Sequence, residues 1–377
     1  MIEKPQGSYI SYFSNLVKLH GGVNLAQGIP GFQPPKELTT ILAQIAKNDV
    51  HQYAPGLGNF SLLSQIFNRY SQNYNVSNEG FLVVQGATEA LSLVYTYLNK
   101  MLNGSFEVLS FEPAYESYSQ LPKIFGQPFF SYPLNSENTF NADEFKGFIA
   151  NRNVKVVFIS SPGNPFGKVW SKQEVDTLLA LAKEMDFYIV FDAVYSELYF
   201  QNKPHLPLDE GNERLFYVNS FSKMLCITGW RVGYLYAAKQ HVDGLRSIHD
   251  YIGLCAPSVL QEALAIYLNE NSFGEKFTQD FRKRLTDGFH FLSKELTALG
   301  FQVPLVDGGC FIWAKLPDGI DDGFQLAYAL YHKTGLAIIP GEHFSRNHAR
   351  WVRINIARPF DDIEKGAELL KKFLSNI

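Results

Sequence analysis

The chain has 377 residues, 46% hydrophobic and 19% charged, with 33 basic against 37 acidic side chains and a net charge of −4. That length exceeds one ordinary domain and that apolar fraction can bury a large core, so disorder is excluded and two or three structural units are expected. The near balance of charge offers no general field for nucleic acid, and no nucleic-acid partner is expected.

The opening MIEKPQGSYISYFSNLVKLHGG has no long apolar stretch behind a basic cluster, so no secretion signal is expected. No segment approaches the roughly 18 apolar residues of a membrane span, and no membrane partner is expected either. Cys226, Cys255 and Cys310 are odd in number and widely spaced. This argues against a disulfide framework or a zinc knuckle and makes a reducing cytoplasm the default location. The histidines form no H-E-x-x-H pair, so no metal is expected.

In chain order, residues 1–49 are mixed: VNLAQGIPGFQPP (23–35) is rich in glycine and proline, and LTTILAQIAKN reads as a short amphipathic helix. Gly28, taken alone, is an ordinary turn glycine. HQYAPGLGNFSLLSQIFNRY then joins a glycine-rich turn, which carries Tyr53, to a helix. From residue 81 short β-rich runs alternate with helical segments, at 81–85, 106–111, 154–160, 188–192, 215–220 and 232–237. These runs are apolar on both faces, as strands of a mostly parallel sheet covered by helices are. The fold class is α/β, and ligands in such sheets collect beyond the carboxyl ends of the strands.

Residues just past the end of each run are therefore candidates for a binding site. After 81–85, Gly86-Ala87-Thr88-Glu89 opens the helix ALSLVYTYLNK. Its free backbone N–H groups can bind an anion, and Thr88 can equally serve as a plain N-cap; the two readings are compatible. After 106–111, FEPAYESY sets Tyr115 at the sheet edge, where an aromatic ordinarily packs in a core or an interface. After 154–160, SSPGNPFGKVW makes a tight turn in which Asn164 reads as turn chemistry. Asp192 ends the apolar run 188–192, with Tyr195 close behind it. A carboxylate so buried needs a partner, ordinarily an arginine or a helix N-terminus, to offset its desolvation.

The run 215–220 leads into VNSFSKMLCITGWRVG, which holds Ser220, Ser222, Lys223 and Arg231. Most lysines sit at the surface. One that comes after small polar residues and precedes a conformationally free segment can instead point inward and form a Schiff base. Hydroxyls and a guanidinium suit a dianionic phosphate. From about Asp243 the pattern changes to long helices with apolar residues at three- and four-residue intervals, where Phe277, Phe281, Leu285 and Phe289 read as a packed helix face. Short strands and two further helices come next, as in a smaller α+β unit. Arg353, within WVRINIA, is either outward on an edge or buried with an anion.

Taken together, S-x-S-K before T-G-W-R-V-G, N-P-x-G at Asn164, D-x-x-Y at Asp192 and Q-G-x-P-x-F around Gly28 resemble the fold-type I pyridoxal 5′-phosphate (PLP) aminotransferases over essentially the whole chain. FEPAYESY, SSPGNPFGKVW, FSKMLCITGWRVGY and LAIIP are most similar to the methionine and kynurenine (glutamine) aminotransferase group. The resemblance implies a large domain over 45–260 with a mostly parallel seven-stranded sheet flanked by helices. A smaller α+β domain would comprise 1–44 and 261–377, and two chains would form a homodimer with the active site at the interface. It assigns PLP to Lys223, the ring nitrogen to Asp192, the phenolic oxygen to Asn164 and Tyr195, and the ring face to Tyr115. The phosphate falls to Ser220, Ser222, Arg231, the Gly86-Ala87-Thr88 turn and, across the interface, Tyr53. Gly28, Asn164 and Arg353 would receive the substrate, with Arg353 gripping its α-carboxylate through two parallel hydrogen bonds.

The implied reaction moves the amino group of an L-amino acid to a 2-oxo acid, with the freed Lys223 amine shuttling a proton; the same lysine and aspartate could support β-elimination from cysteine conjugates. No second arginine is identifiable as a partner for an acidic side chain, so aspartate is disfavoured. The 15% aromatic content, with Phe32 and Tyr115 expected near the site, suits methionine, aromatic, kynurenine or glutamine-like side chains. His343 and Phe344 are expected at the entrance, and Gly341-Glu342 departs from the smaller neutral or apolar residues usual there. A ligand-sensing module fused to a DNA-binding domain would need a winged-helix segment, and none fits before Ser8. A cofactor-free scaffold would have lost the lysine or the aspartate.

Overall fold

The structure is a computed structural model that describes residues 4–135 and 138–376. Helix α1 (Tyr9–His20), strand β1 (Val23–Asn24) and helices α2 (Lys36–Ile45) and α3 (Phe60–Ser71) precede the main sheet. The sheet is then built from β2 (Phe81–Val84), β3 (Glu107–Glu112), β4 (Phe129–Pro133), β5 (Val154–Ser160), β6 (Tyr188–Asp192), β7 (Leu215–Ser220) and β8 (Gly233–Ala237). Helices α4 (Gly86–Met101), α5 (Glu116–Ile124), α6 (Ala142–Ile149) and α7 (Lys172–Glu184) connect these strands, and the short α8 (Phe221–Met224) follows β7. The strand order is β2-β8-β7-β6-β5-β3-β4 in a seven-stranded sheet, with β8 antiparallel to both neighbours and every other pairing parallel. The expected α/β fold with a mostly parallel sheet is therefore present.

Apolar side chains on the two faces of this sheet enter separate cores, as strands covered on both sides require. Phe81, Val83, Leu109 and Ile189 join one, while Leu82, Val84, Val108 and Val190 join the other. The strand β4 has no counterpart among the six runs expected from sequence. Its residues are mostly half-buried or exposed, because it lies at the sheet edge with one paired side, so the two-faced apolar signal is missing.

Beyond the sheet come α9 (Lys239–Ile252), α10 (Ser258–Glu270), the long α11 (Glu275–Ala298), β9 (Phe311–Lys315), α12 (Gly323–Thr334), β10 (Leu336–Ala337), β11 (Ile339–Pro340), β12 (Trp351–Asn355) and α13 (Phe360–Leu374). A third core joins Phe13 of α1 to Phe281, Leu285, Phe289 and Leu292 of α11 and to β9 and β12. Phe281, Leu285 and Phe289 thus form the packed helix face their spacing suggested, whereas Phe277 leans on the core of the main sheet. The antiparallel order β11-β12-β9 lies within the C-terminal part, and the parallel pair β1-β10 joins the N-terminal segment to it. Leu38, Ile41 and Ile45 of α2 and Leu264 and Leu268 of α10 pack in the main-sheet core, so apolar contacts run across both expected divisions, 44/45 and 260/261. Among the described residues, no helix is long and apolar enough to cross a membrane.

Candidate active site

The carboxyl ends of β5, β6 and β7 deliver Ser160, Asp192 and Ser220 to one cavity of about 270 Å³. Lys223 follows β7 on α8, and Ser220 caps that helix by accepting from the Ser222 N–H at 3.2 Å. The turn points Lys223 inward, where its Nζ donates to the Gly28 carbonyl at 2.6 Å. Burial pushes its pKa down from 10.5 to about 8; Arg353 and Arg231 act in the same direction, while Cys310 and Asp192 oppose them. A lysine so placed has about a tenth of its amine neutral and nucleophilic at pH 7, far more than an ordinary lysine.

Asp192 lines the same cavity, 6% exposed. The Tyr118 hydroxyl donates to its Oδ2 at 2.8 Å and the Val194 N–H to its Oδ1 at 3.1 Å. Burial raises the Asp192 pKa in spite of these donors and of Lys223. Both hydrogen-bond donors are neutral, so the carboxylate is desolvated and available to a cation. Tyr118 is itself fixed by stacking on Phe158, with ring planes 4° apart and centroids 5.0 Å apart. Sequence reasoning missed Tyr118, although it stands one helical turn beyond Tyr115 in FEPAYESY and shares a helix face with it. Tyr115 caps α5 and meets the Tyr118 ring edge-on at 5.7 Å.

A polar cradle closes one end. The Ser220 hydroxyl donates to Ser222 Oγ at 2.8 Å and Arg231 donates to the Thr228 and Gln85 carbonyls at 3.0 and 3.1 Å. Arg231 adopts left-handed backbone angles (φ 55°, ψ 50°), which turns its guanidinium toward the start of α4. Gly86 begins that helix with φ +81°, and a Cβ there would lie 2.5 Å from Arg231 Nη2. A bulkier residue would displace the guanidinium, so glycine keeps the cradle open. Ala87 and Thr88 complete the wall. Hydroxyls, a guanidinium and the N-terminus of a helix form a donor set that fits a phosphate dianion.

Arg353 closes the other end. It is fully buried, with its Nη1 donating to Asn164 Oδ1 at 3.0 Å and its Nη2 to the Ala26 carbonyl at 2.7 Å. Of the two positions left open by its sequence context, the structure shows the inward one. Its guanidinium lies between two rings, 4.2 Å from the Phe311 centroid and 4.9 Å from that of Phe344. Burial lowers its pKa to about 10, against the raising influence of Tyr195, Glu116 and Tyr115. Among the described residues, its Nε has no hydrogen-bond partner. A buried cation with an idle donor is what a carboxylate ligand would satisfy. Gly28 faces it, since a Cβ there would lie 3.6 Å from both terminal nitrogens.

The cavity thus gathers Gly28, Ala87, Thr88, Tyr115, Asn164, Asp192, Tyr195, Ser220, Ser222, Lys223, Arg231 and Arg353, and Gly86 lies just beneath Arg231. Tyr195 is buried edge-on to Phe311 at 5.8 Å. Tyr53 is 82% exposed and absent from the lining of its own chain's cavity. Phe32, expected near the site, turns away instead: its ring meets Phe281 edge-on at 5.4 Å and lies beneath Arg284. Arg358 pairs with Asp362 at 2.9 Å, outside the cavity. Of the turn after LAIIP, Glu342 bonds Lys4 at 2.6 Å, His343 approaches Glu116 and Phe344 backs Arg353. Phe311 escaped the sequence reading because only the pairing of β9 with β12 brings it beneath Arg353.

The family model for aminotransferase class I and II matches residues 20–370 of this chain. A probable aspartate aminotransferase of Methanocaldococcus jannaschii is 28% identical, over 93% of this chain and 92% of its own length. A probable N-succinyldiaminopimelate aminotransferase of Mycobacterium tuberculosis is 30% identical, over 86% of this chain and 82% of its own. The solved structure of N-succinyldiaminopimelate aminotransferase from Mycobacterium tuberculosis is similar with a TM-score of 0.88 and 27% identity, over 97% of each chain.

Proposed function

This chain belongs to the aminotransferase class I and II family, whose cofactor is PLP, and from that premise we propose that it moves the amino group of a methionine, aromatic, kynurenine or glutamine-like L-amino acid to a 2-oxo acid. The observation that carries the reading is the convergence of the Lys223 amine, the Asp192 carboxylate and the Arg353 guanidinium on one cavity. Bound PLP supplies an electron sink for the charge left at the substrate Cα when its proton is removed. Asp192, raised in pKa by burial and held only by neutral donors, supplies the negative charge that keeps a ring nitrogen protonated. Lys223, kept partly neutral by burial, takes a proton from Cα and returns it on the other side of the transfer. Arg353 holds the substrate α-carboxylate, with Gly28 giving it a close approach. Asn164 and Tyr195 would hold the phenolic oxygen of PLP, Tyr115 would lie against its ring, and Ser220, Ser222, Arg231 and the Gly86–Thr88 turn would hold its phosphate.

Ile10, Leu91, Tyr115 and Tyr118 give the cavity apolar walls. Among the described residues of one chain, the cationic side chains of the cavity, Lys223, Arg231 and Arg353, are all committed to the roles above, which leaves none of these for an acidic substrate side chain. The names of the two relatives, aspartate and N-succinyldiaminopimelate aminotransferase, do not agree on one substrate. We further place the enzyme in a reducing cytoplasm, since its three cysteines are unpaired. A second chain would bring Tyr53 to the phosphate: Tyr53 is 82% and Tyr251 92% exposed, large aromatic side chains that a partner chain would cover.

The test is an amino-acid panel with the PLP-loaded protein and several 2-oxo acids. Formation of the donor's 2-oxo acid in step with a new amino acid is expected, fastest with neutral apolar or amide side chains. Ammonia and pyruvate from cysteine conjugates, without amino transfer, would assign the site to elimination instead.

A further inference from the structure

One carboxylate in the cavity takes no part in the roles above. Glu116, the first residue of α5, lines the cavity. Its side chain is 25% exposed. The Ser8 hydroxyl donates to its Oε1 at 3.1 Å, and His343 Nε2 lies 2.9 Å from its Oε2, a close polar contact off the hydrogen-bond angle. Tyr9 stacks on His343 with ring planes 26° apart, and Ile10 completes the wall. The segment leading into α1 and the turn after β11 thus converge on the carboxylate and hold it in place. Burial opposes its ionisation, but His343, Ser8 and Arg353 together outweigh burial and hold the carboxyl below its ordinary value.

We propose that Glu116 determines side-chain specificity, repelling amino acids whose side chains end in a carboxylate and admitting neutral ones and those that end in an amide donor. The inference rests on the aminotransferase reading only for the placement of the α-carboxylate on Arg353. With that end held, the remainder of the ligand must share the cavity with Glu116. A second negative charge then meets a fixed one between apolar walls, where screening is weak. An amide in its place can donate to the same oxygen. Specificity of this kind works by building in a repulsive element against the wrong ligand.

Binding to the PLP-loaded protein tests this without turnover. Glutarate and its monoamide, glutaramate, differ only in the terminal group, and their Kd values can be read by calorimetry. Wild type should bind glutaramate at least about tenfold more tightly than glutarate, a difference of about 1.4 kcal/mol. Glu116→Gln should bring the ratio below about threefold, mainly through tighter glutarate binding, and Glu116→Asp, which keeps the charge, should preserve the preference. Equal wild-type affinities, no measurable glutaramate binding, or a ratio unchanged in Glu116→Gln would each overturn the proposal. A Glu116-dependent preference in a protein that transfers no amino group would sink the functional reading and leave this one standing; full amino transfer with no preference would do the reverse.

Discussion

Arg353 shows how much one residue depends on what surrounds it. Within WVRINIA it could have faced solvent, and nothing local marks Phe311, Phe344 or the Ala26 carbonyl as its neighbours. Lys223, Asp192 and Asn164 were legible because each lies at or just past the end of a strand, a position a linear pattern can locate. Phe32 was misplaced for the converse reason: its motif fixes the turn but not the side of the turn on which the ring packs. Replacing Arg353 with lysine substitutes a point charge for a fork and leaves the Asn164 and Ala26 acceptors short of a donor. A rise in KM of about 10- to 100-fold is expected in steady-state kinetics, consistent with the loss of roughly 1.5–3 kcal/mol from charged hydrogen bonds. Unchanged KM would remove Arg353 from substrate binding.

Lys223 sets a pH dependence whose direction can be worked out. Its folded pKa of about 8 lies below the ordinary 10.5. Between those values the unfolded chain binds more protons, so this group's contribution to stability rises with pH across that window and is flat on either side. Its reactivity should track the neutral fraction. Capture of PLP by the apo-protein, monitored by stopped-flow absorbance, should quicken about tenfold per pH unit up to about pH 8 and then level off. A profile still climbing steeply at pH 10 would contradict the lowered value.

At the scale of elements, six strands of the main sheet were legible because burial on both faces leaves uninterrupted apolar runs. The seventh, β4, is an edge strand with little buried surface, and α1 was not distinguished in the mixed opening because only Phe13 and Ser14 of it are fully buried. That omission matters for the site, since Ile10 of α1 supplies part of its wall and Ser8, just before the helix, bonds Glu116. The opposite case is the start of α4, where a glycine and a helix N-terminus stood out in sequence and meet Arg231 in space. Gly86→Ala forces a Cβ into that guanidinium at a positive φ. Fluorescence titration should show PLP affinity reduced at least about tenfold, with the circular dichroism of the native fold retained; an unaltered Kd would place the phosphate elsewhere.

At the scale of the whole molecule, the cavity lies where the main-sheet cores meet the core of the N- and C-terminal parts, so its two ends come from separately packed units: the polar cradle from β7, α8 and α4, the Arg353 guanidinium from β12. This juxtaposition was not readable from any local pattern. The outward-facing Tyr53 and Tyr251 belong to the same scale. Analytical ultracentrifugation should find a dimer, and Tyr251→Asp should shift it toward monomer with weaker PLP binding; a wild-type monomer that binds PLP fully would contradict a shared site.

The most direct measurement is reductive labelling. Borohydride treatment of the PLP-loaded protein, with subsequent peptide mass mapping, fixes the cofactor to whichever amine holds it. The account requires a single labelled peptide carrying the pyridoxyl group on Lys223, and none in Lys223→Ala. Stoichiometric label on another lysine in wild type, with Lys223 unmodified, would contradict it.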